Sequence, residues 1–284
     1  MKWALKIVGK LFLSRLPIDY SIWRSVGIFR NGGMNQVEYA LKIFSLHAER
    51  CFPNGFLPGV TMLELGPGDS IASAVIANAY GAKKTYLVDV GNYAVKDIAF
   101  YKTLTEWLNK QNIRRALNID AITSFSSLVN KCHATYLTRG LESLREVPDS
   151  SVDMIWSHSV LEHIRAFELE DVLLELNRIL KPGGFFSHNI DYQDHLQGAL
   201  NNLRFSSRIW ESDIFAKSGF YTNRIPAVIM HDLLRRSGTT VLKEEFGRWP
   251  KMPINRKWLA KEFKIYSDEI LLNRTSHILG VKNV

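Results

Sequence analysis

Thr61-Met62-Leu63-Glu64-Leu65-Gly66-Pro67-Gly68-Asp69-Ser70 runs from an apolar strand into a glycine turn, and Ile71-Ala72-Ser73-Ala74-Val75-Ile76-Ala77 behind it has the composition of a helix. Gly66 and Gly68 permit a tight turn and close approach of backbone to a ligand, and a helix start offers N–H groups without intrahelical partners. A nucleotide-like ligand fits this cradle. Asp89 closes the next β-rich run 21 residues beyond Gly68, where a carboxylate can take both hydroxyls of a ribose. A pyrophosphate-binding loop would continue as G-x-G-x-x-G. Position 71 is Ile, whose side chain would crowd a diphosphate.

Outward from this turn the chain alternates. Short β-rich runs at Thr61–Leu65, Thr85–Asp89, Ala134–Leu137, Val152–Ser157 and Gly184–Ile190 are separated by helical patterns at Ile71–Tyr80, Tyr93–Lys110 and Glu168–Leu180. This predicts an α/β fold, Rossmann-like and doubly wound around a mostly parallel sheet. Right-handed crossovers then put the carboxyl ends of the strands on one edge, where such a sheet binds its ligand. Periodicity fades over Asp191–Tyr221, a helix follows at Pro226–Arg236 with Gly238 at its end, and Thr239–Glu244 and Ser276–Val281 can each add a strand to complete seven. The chain divides into a helical segment over 1–56, a ligand-binding core over 57–190, and a lid with the last strands over 191–284, the flanking parts supplying helical cap insertions.

With 46% apolar and 23% charged residues among 284, the chain can bury a full core, which excludes a disordered chain, a collagen-like repeat and a disulfide scaffold. Thirty-six Lys and Arg against 28 Asp and Glu give a net charge of +8, which suits phosphates, nucleic acid or an anionic membrane without choosing among them. Cys51 and Cys132 form no metal or disulfide pattern, and a reducing cytoplasm is the simplest compartment. Over Met1–Leu16, Lys2, Lys6 and Lys10 recur every four residues while Trp3, Ile7, Val8, Leu11 and Phe12 cover much of the remaining helix surface. Lys6 and Lys10 interrupt the apolar stretch a secretory signal needs, and no segment reaches the ~18 apolar residues of a membrane span. Two readings stay open: a peripheral helix resting on the anionic inner leaflet, or one packed on the protein's own surface.

Glu64, Gly66, Gly68 and Asp69 resemble the E/D-x-G-x-G loop of the class I S-adenosylmethionine-dependent methyltransferases, and three further features follow in that family's order. They are Asp89 closing strand two, Val152-Asp153-Met154-Ile155-Trp156-Ser157-His158-Ser159-Val160-Leu161-Glu162-His163, and Arg178-Ile179-Leu180-Lys181-Pro182-Gly183-Gly184. The resemblance covers roughly residues 60–190. It implies S-adenosyl-L-methionine as cofactor, bound through Glu64, Gly66, Gly68 and Asp69, with Gly66 and Gly68 lining its methionine portion and Asp89 at the ribose. It also implies Gly140 and Leu141 beside the adenine, and Ser157 and His158 bordering the sulfonium and methyl. Ser70 stands where many members carry a third glycine; it is small and a good N-cap. Pro182 and the glycines after it stop a helix and reverse the chain. Glu162 and His163 read either as ligand-side groups or as buried groups bonded to backbone.

Methyl transfer is an in-line displacement, which needs the acceptor atom about 3 Å from the methyl and, for an alcohol, a base. The most polar cluster is His188-Asn189-Ile190-Asp191-Tyr192-Gln193-Asp194-His195. His188 or His195 is expected as base, with Asp191 orienting it. The same residues could hold Mg²⁺ or a transition metal, yet their spacing fits no helix-face or finger pattern, and no metal is expected. Phe215–Arg224 mixes aromatic, amide and guanidinium groups, which suits a sugar or phosphorylated acceptor, or a lid packing its own aromatics. Enzymes that methylate base amines of nucleic acids resemble one another in an Asn/Asp-Pro-Pro-aromatic segment; here Ser157-His158-Ser159-Val160 stands in that place, and no nucleic-acid partner is expected. A weaker resemblance links the chain to methyltransferases of bacterial glycan and surface-polysaccharide assembly. The expected reaction is methylation of a hydroxyl oxygen on a small molecule, a sugar or glycan intermediate. A lipid or quinone-type hydroxyl, an RNA 2′-hydroxyl and a non-catalytic donor-binding scaffold are the alternatives.

Overall fold

The computed structural model describes residues 2–13, 15, 33–111, 117–118, 120 and 122–284; Met1, Ser14 and residues 16–32, which the N-terminal expectations include, lie outside the described residues. The amphipathic start forms α1 (Lys2–Leu13), and α2 spans Val37–Cys51. The core alternates through β1 (Thr61–Leu65), α3 (Ala72–Ala79), β2 (Lys84–Val88), α4 (Ile98–Lys110), α5 (Phe125–Lys131), β3 (Ala134–Leu137), α6 (Leu141–Arg145) and β4 (Val152–His158). A single 3₁₀ turn at Leu161–His163 leads to α7 (Leu169–Ile179) and β5 (Leu180–Asp191). The lid carries α8 (Ser207–Trp210) and α9 (Asp213–Ala216); α10 (Ala227–Arg236), β6 (Thr239–Arg248), α11 (Asp268–Leu271) and β7 (Asn273–Lys282) complete the chain.

The seven strands lie in the order β3-β2-β1-β4-β5-β7-β6, parallel from β3 to β5, with β7 antiparallel to both its neighbours. Central β1 is buried at every residue, which is why it reads as a nearly unbroken apolar run. Register sets Leu65, Val88, Ser157 and His188 in one row, so four parallel strands reach their carboxyl ends together. One face of the sheet packs Met62, Met154 and Trp156 with residues of α2, α3 and α4. The other packs Leu63, Ile155, Ile190 and Ile278 with α6, α7 and α10.

Three boundaries differ from the sequence reading. Helix α4 starts at Ile98 rather than Tyr93, because Asp97 caps it by accepting the Ala99 N–H at 2.9 Å, while the Tyr136 hydroxyl holds the N–H groups of Tyr93 and Ala94. Lys181–Gly184 is not a free turn but the irregular part of β5, between the pairs Val152–Leu180 and Met154–Phe185. β6 and β7 run on to pair Arg248 with Asn273; edge strand β6 is largely polar there, so no apolar alternation marked the extension.

Helix α1 buries Ile7, with Trp3 and Leu11, on a lid cluster of Leu196, Trp210, Phe220 and Tyr221. Its other side leaves Leu5, Val8 and Phe12 at 73%, 67% and 68% exposure. No helix among the described residues is long and apolar enough to cross a membrane.

Candidate active site

Gly66 has φ +73°, and a Cβ there would lie 2.4 Å from a Val160 methyl, so the loop after β4 can close on the β1 turn only over glycine. Gly68, at φ +63°, donates its N–H to Asp89 Oδ2 at 3.0 Å, and Asp89 Oδ1 accepts the Val90 N–H at 2.7 Å. Asp89 thereby ties the first two loops of the crevice together. The carboxylate also takes the Gly91 N–H, and with about four acceptor positions on its two oxygens it keeps capacity for a ribose hydroxyl. Its burial raises the carboxyl pKa, and the N–H bonds oppose the rise. Gly140, at φ +55°, donates to the Asp89 carbonyl at 2.8 Å and lies against Val90, while Leu141 opens α6. An acid with acceptor capacity, glycine turns and an apolar wall are groups that would suit an adenosine. Tyr101 and Tyr136 brace the cradle, and sequence reasoning missed both. The Tyr101 hydroxyl accepts from Ile71 N–H at 3.2 Å and donates to the Val95 carbonyl at 2.7 Å. Nothing in the spacing separates such tyrosines from ordinary core aromatics.

Other expected residues lie deeper. Glu64 is 2% exposed and accepts a hydrogen bond from Ser73 on α3, so it faces the helix layer; burial pushes its carboxyl up to about 8. The Asp69 side chain is 1% exposed, and its carbonyl accepts the Val95 N–H at 2.8 Å. Ser70 accepts the Ala72 N–H at 3.2 Å but stands one residue before the cap position, which Ile71 occupies with no side-chain bond of its own. His188 and Ser157 are 1% and 0% exposed, with Nδ1 and Oγ 2.8 Å apart, and burial pushes His188 down to about 3. His188 shares its face of the sheet with Phe186 and Ile190, under α7 and α10, and not with the crevice where a base was expected.

Asp191 and His195 do stand at the edge, half-buried. The expected pairing between them is replaced by another. Asp191 accepts from the Gln193 N–H at 2.9 Å and its charge acts on His163, whereas the carboxylate acting on His195 is Asp194. Asp194 also accepts N–H bonds from Leu196, Gln197 and Asn201, folding the loop that carries His195. His195 meets the His163 ring edge-on at 4.7 Å, and His163 Nδ1 lies 2.8 Å from the Tyr221 carbonyl. Glu162, Asp191, Tyr192, Thr222 and Asn223 line a small cavity of about 30 Å³. The Glu162 carboxylate is buried, and its Oε2 has no hydrogen-bond partner among the described residues. The aromatics of Phe215–Arg224 are taken up by the lid's own core, and Arg224 is fastened to the Phe205 carbonyl at 2.7 Å. No group of His, Cys, Asp and Glu able to hold a metal occurs among the described residues.

On the opposite face, His47 of α2 lies 3.2 Å from His158 and 2.8 Å from Ser187, and Ser187 lies 2.8 Å from His277. Sequence reasoning found only His158 of these, because folding alone joins residues on α2, β4, β5 and β7.

A model described as a methyltransferase domain matches residues 63–187. No curated protein matches the sequence. An S-adenosylmethionine-dependent methyltransferase from Methanosarcina mazei superposes with a TM-score of 0.50 at 13% identity, over 82% of this chain and 96% of that one. A second, from Mesorhizobium loti, gives 0.45 at 13% identity over 88% and 100% of the two chains. Phosphoethanolamine N-methyltransferase 2 of Haemonchus contortus, in complex with S-adenosyl-L-methionine, gives 0.47 at 16% identity over 90% of this chain, which spans 54% of that enzyme. The matched residues contain the whole cradle from Glu64 through Asp89 and Gly140 to His158, so residues 63–187 are a methyltransferase domain, and the findings support a class I S-adenosylmethionine-dependent methyltransferase with S-adenosylmethionine as its cofactor.

Proposed function

We propose that the chain methylates a hydroxyl oxygen of a small molecule, a sugar or glycan intermediate. The observation that carries this reading is the set of imidazoles at the carboxyl edge: His158, His163 and His195 are all held neutral by their surroundings, His158 and His163 at about 4. The bound cofactor supplies a methyl group on a sulfonium sulfur. Gly66 and Gly68 would hold its methionine portion and Asp89 its ribose. A hydroxyl becomes a nucleophile only as its proton leaves, and a neutral imidazole accepts that proton where a charged one cannot. Asp191, His163 and His195 offer acceptors and donors to further hydroxyls of a polar substrate. Incubation with methyl-labelled cofactor and fractionated cell extract should label a hydroxylated small-molecule or glycan fraction. Label confined to RNA or protein would overturn the reading.

A membrane-proximal setting is favoured by one observation, the Leu5, Val8 and Phe12 stripe that α1 leaves outside the fold beside Lys6. We infer that α1 rests on an anionic inner leaflet, where lipid-linked sugars are presented.

A further inference from the structure

His158 ends β4 one residue above the aligned row of strand ends, half-buried at the crevice edge. Its Nδ1 faces His47 Nε2 at 3.2 Å, His47 Nδ1 faces Ser187 Oγ at 2.8 Å, and Ser187 Oγ faces His277 Nε2 at 2.8 Å. His47, Ser187 and His277 are 0%, 0% and 5% exposed, so the contacts run through the interior between α2 and the sheet, with Trp156 against His47 at 4.8 Å. A neutral imidazole donates through one nitrogen and accepts through the other, and a hydroxyl does both, so one direction of donation can run the length of the chain. Its outer end is wet and charged: Glu245 pairs across the ladder with His277 and is ion-paired to Arg50 and Lys243. Its inner end is open, since His158 Nε2 has no hydrogen-bond partner among the described residues.

We propose that His158 Nε2 is the base that takes the acceptor's proton, and that His47, Ser187 and His277 relay that proton to the β6–β7 edge. The proposal rests on the hydroxyl reading above and names the residue that serves it. As the acceptor oxygen bonds to the methyl carbon, the carbon–sulfur bond breaks with its electron pair on sulfur, and the hydroxyl proton passes to His158 Nε2. His158 Nδ1–H moves to His47 Nε2, His47 Nδ1–H to Ser187 Oγ, the Ser187 hydroxyl proton to His277 Nε2, and the Nδ1 proton of His277 to water beside Glu245. Each ring is left neutral in its other tautomer, and the chain resets when His158 Nε2 releases its proton to the open crevice and a proton enters from water at His277 Nδ1, the transfers running in reverse. Burial and local charge favour passing the proton on over keeping it. Burial opposes a lasting cation at His158, His47 and His277; Lys42 adds to this at His158 and Arg50 at His47, and at His277 Arg50 and Lys243 oppose what Glu245 favours. His158 is the catalytic residue here, and His47, Ser187 and His277 are positioning residues.

The test reads tautomers by NMR on the full chain with ¹⁵N-labelled histidine, saturated with S-adenosylhomocysteine and without acceptor. His158 should carry its proton on Nδ1 and leave Nε2 bare. Ser187→Ala should mix or reverse the tautomers of His47 and His158 while calorimetric affinity for S-adenosylhomocysteine stays unchanged. His277→Gln, cutting the relay at its outer end, should do the same. A wild-type His158 protonated on Nε2, or His158 signals unmoved in both variants, overturns the proposal while leaving hydroxyl methylation standing. Once a labelled hydroxylated acceptor is in hand, His158→Asn should lower kcat about 10²–10⁴-fold, and Ser187→Ala should lower kcat with KM unchanged. Wild-type kcat in both overturns it as well.

Discussion

At the scale of single residues, Asp89 ties two loops together through its carboxylate and is the residue proposed to hold the cofactor's ribose. Asp89→Ala removes both the ribose acceptors and the bridge between Gly68 and Val90, so affinity for S-adenosylmethionine should fall about 10- to 100-fold by isothermal titration, the worth of hydrogen bonds to a charged group. Undiminished affinity would move the ribose elsewhere. Glu64 illustrates a second use of a carboxyl. Folding keeps its proton up to about pH 8, while its ordinary value is 4.5, so the folded state binds more protons between the two and stability falls as pH rises across that window. His188 runs the opposite way, its stabilisation lost as pH falls from 6.5 towards about 3. Above pH 6.5 the Glu64 slope stands clear of the histidine. The melting temperature of Glu64→Gln should therefore decline less than that of wild type between pH 6.5 and 8, with a difference in stability of at most about 1.4 kcal/mol per pH unit. Parallel curves would show that Glu64 is ionised in the fold.

At the scale of elements, the β1 turn is a contact between two loops as well as a ligand cradle. Gly66→Ala places a methyl against Val160 at a backbone angle that disfavours side chains, which should cost about 1–3 kcal/mol of stability in chemical denaturation and weaken cofactor binding with it. Wild-type values for both would mean that the two loops do not meet. The strands and the turn were legible because their signals are local: an apolar run, a glycine pair, an acid at a fixed distance. The acceptor side was not. His188 sits at a strand end in sequence, yet strand alternation turns it under α7 and α10, and nothing local says which face a helix will cover. His47 was invisible for the converse reason, since it is a polar residue on the buried side of an amphipathic helix and its partners lie on β4 and β5. The cofactor half of the site is built from contiguous turns, whereas the acceptor half is assembled from residues that only topology brings together.

At the scale of the whole molecule, α1 has two apolar stripes and one protein surface to cover. Trp3, Ile7 and Leu11 use that surface, which leaves Leu5, Val8 and Phe12 in water on a chain of net charge +8. Lys6 sits in the same helix, and Arg15 beyond its end reaches the Ile214 carbonyl of α9 at 3.4 Å, so Ile214, 56% exposed, extends the apolar surface onto the lid. Burying three large apolar side chains in a headgroup layer, with about 1 kcal/mol for each nearby cation, amounts to roughly 5 kcal/mol before the cost of association, enough for reversible attachment. The protein should sediment with vesicles of phosphatidylglycerol and phosphatidylcholine and much less with phosphatidylcholine alone. Raised salt should weaken the attachment without abolishing it, because screening removes the charge contribution and leaves the apolar one. Leu5→Ser, Val8→Ser and Phe12→Ser together should free the protein from anionic vesicles while its circular dichroism and cofactor affinity hold, since the three side chains point away from the lid core. Equal sedimentation of the triple variant, or a wild-type protein that stays in the supernatant, would mean that the exposed stripe faces something other than lipid.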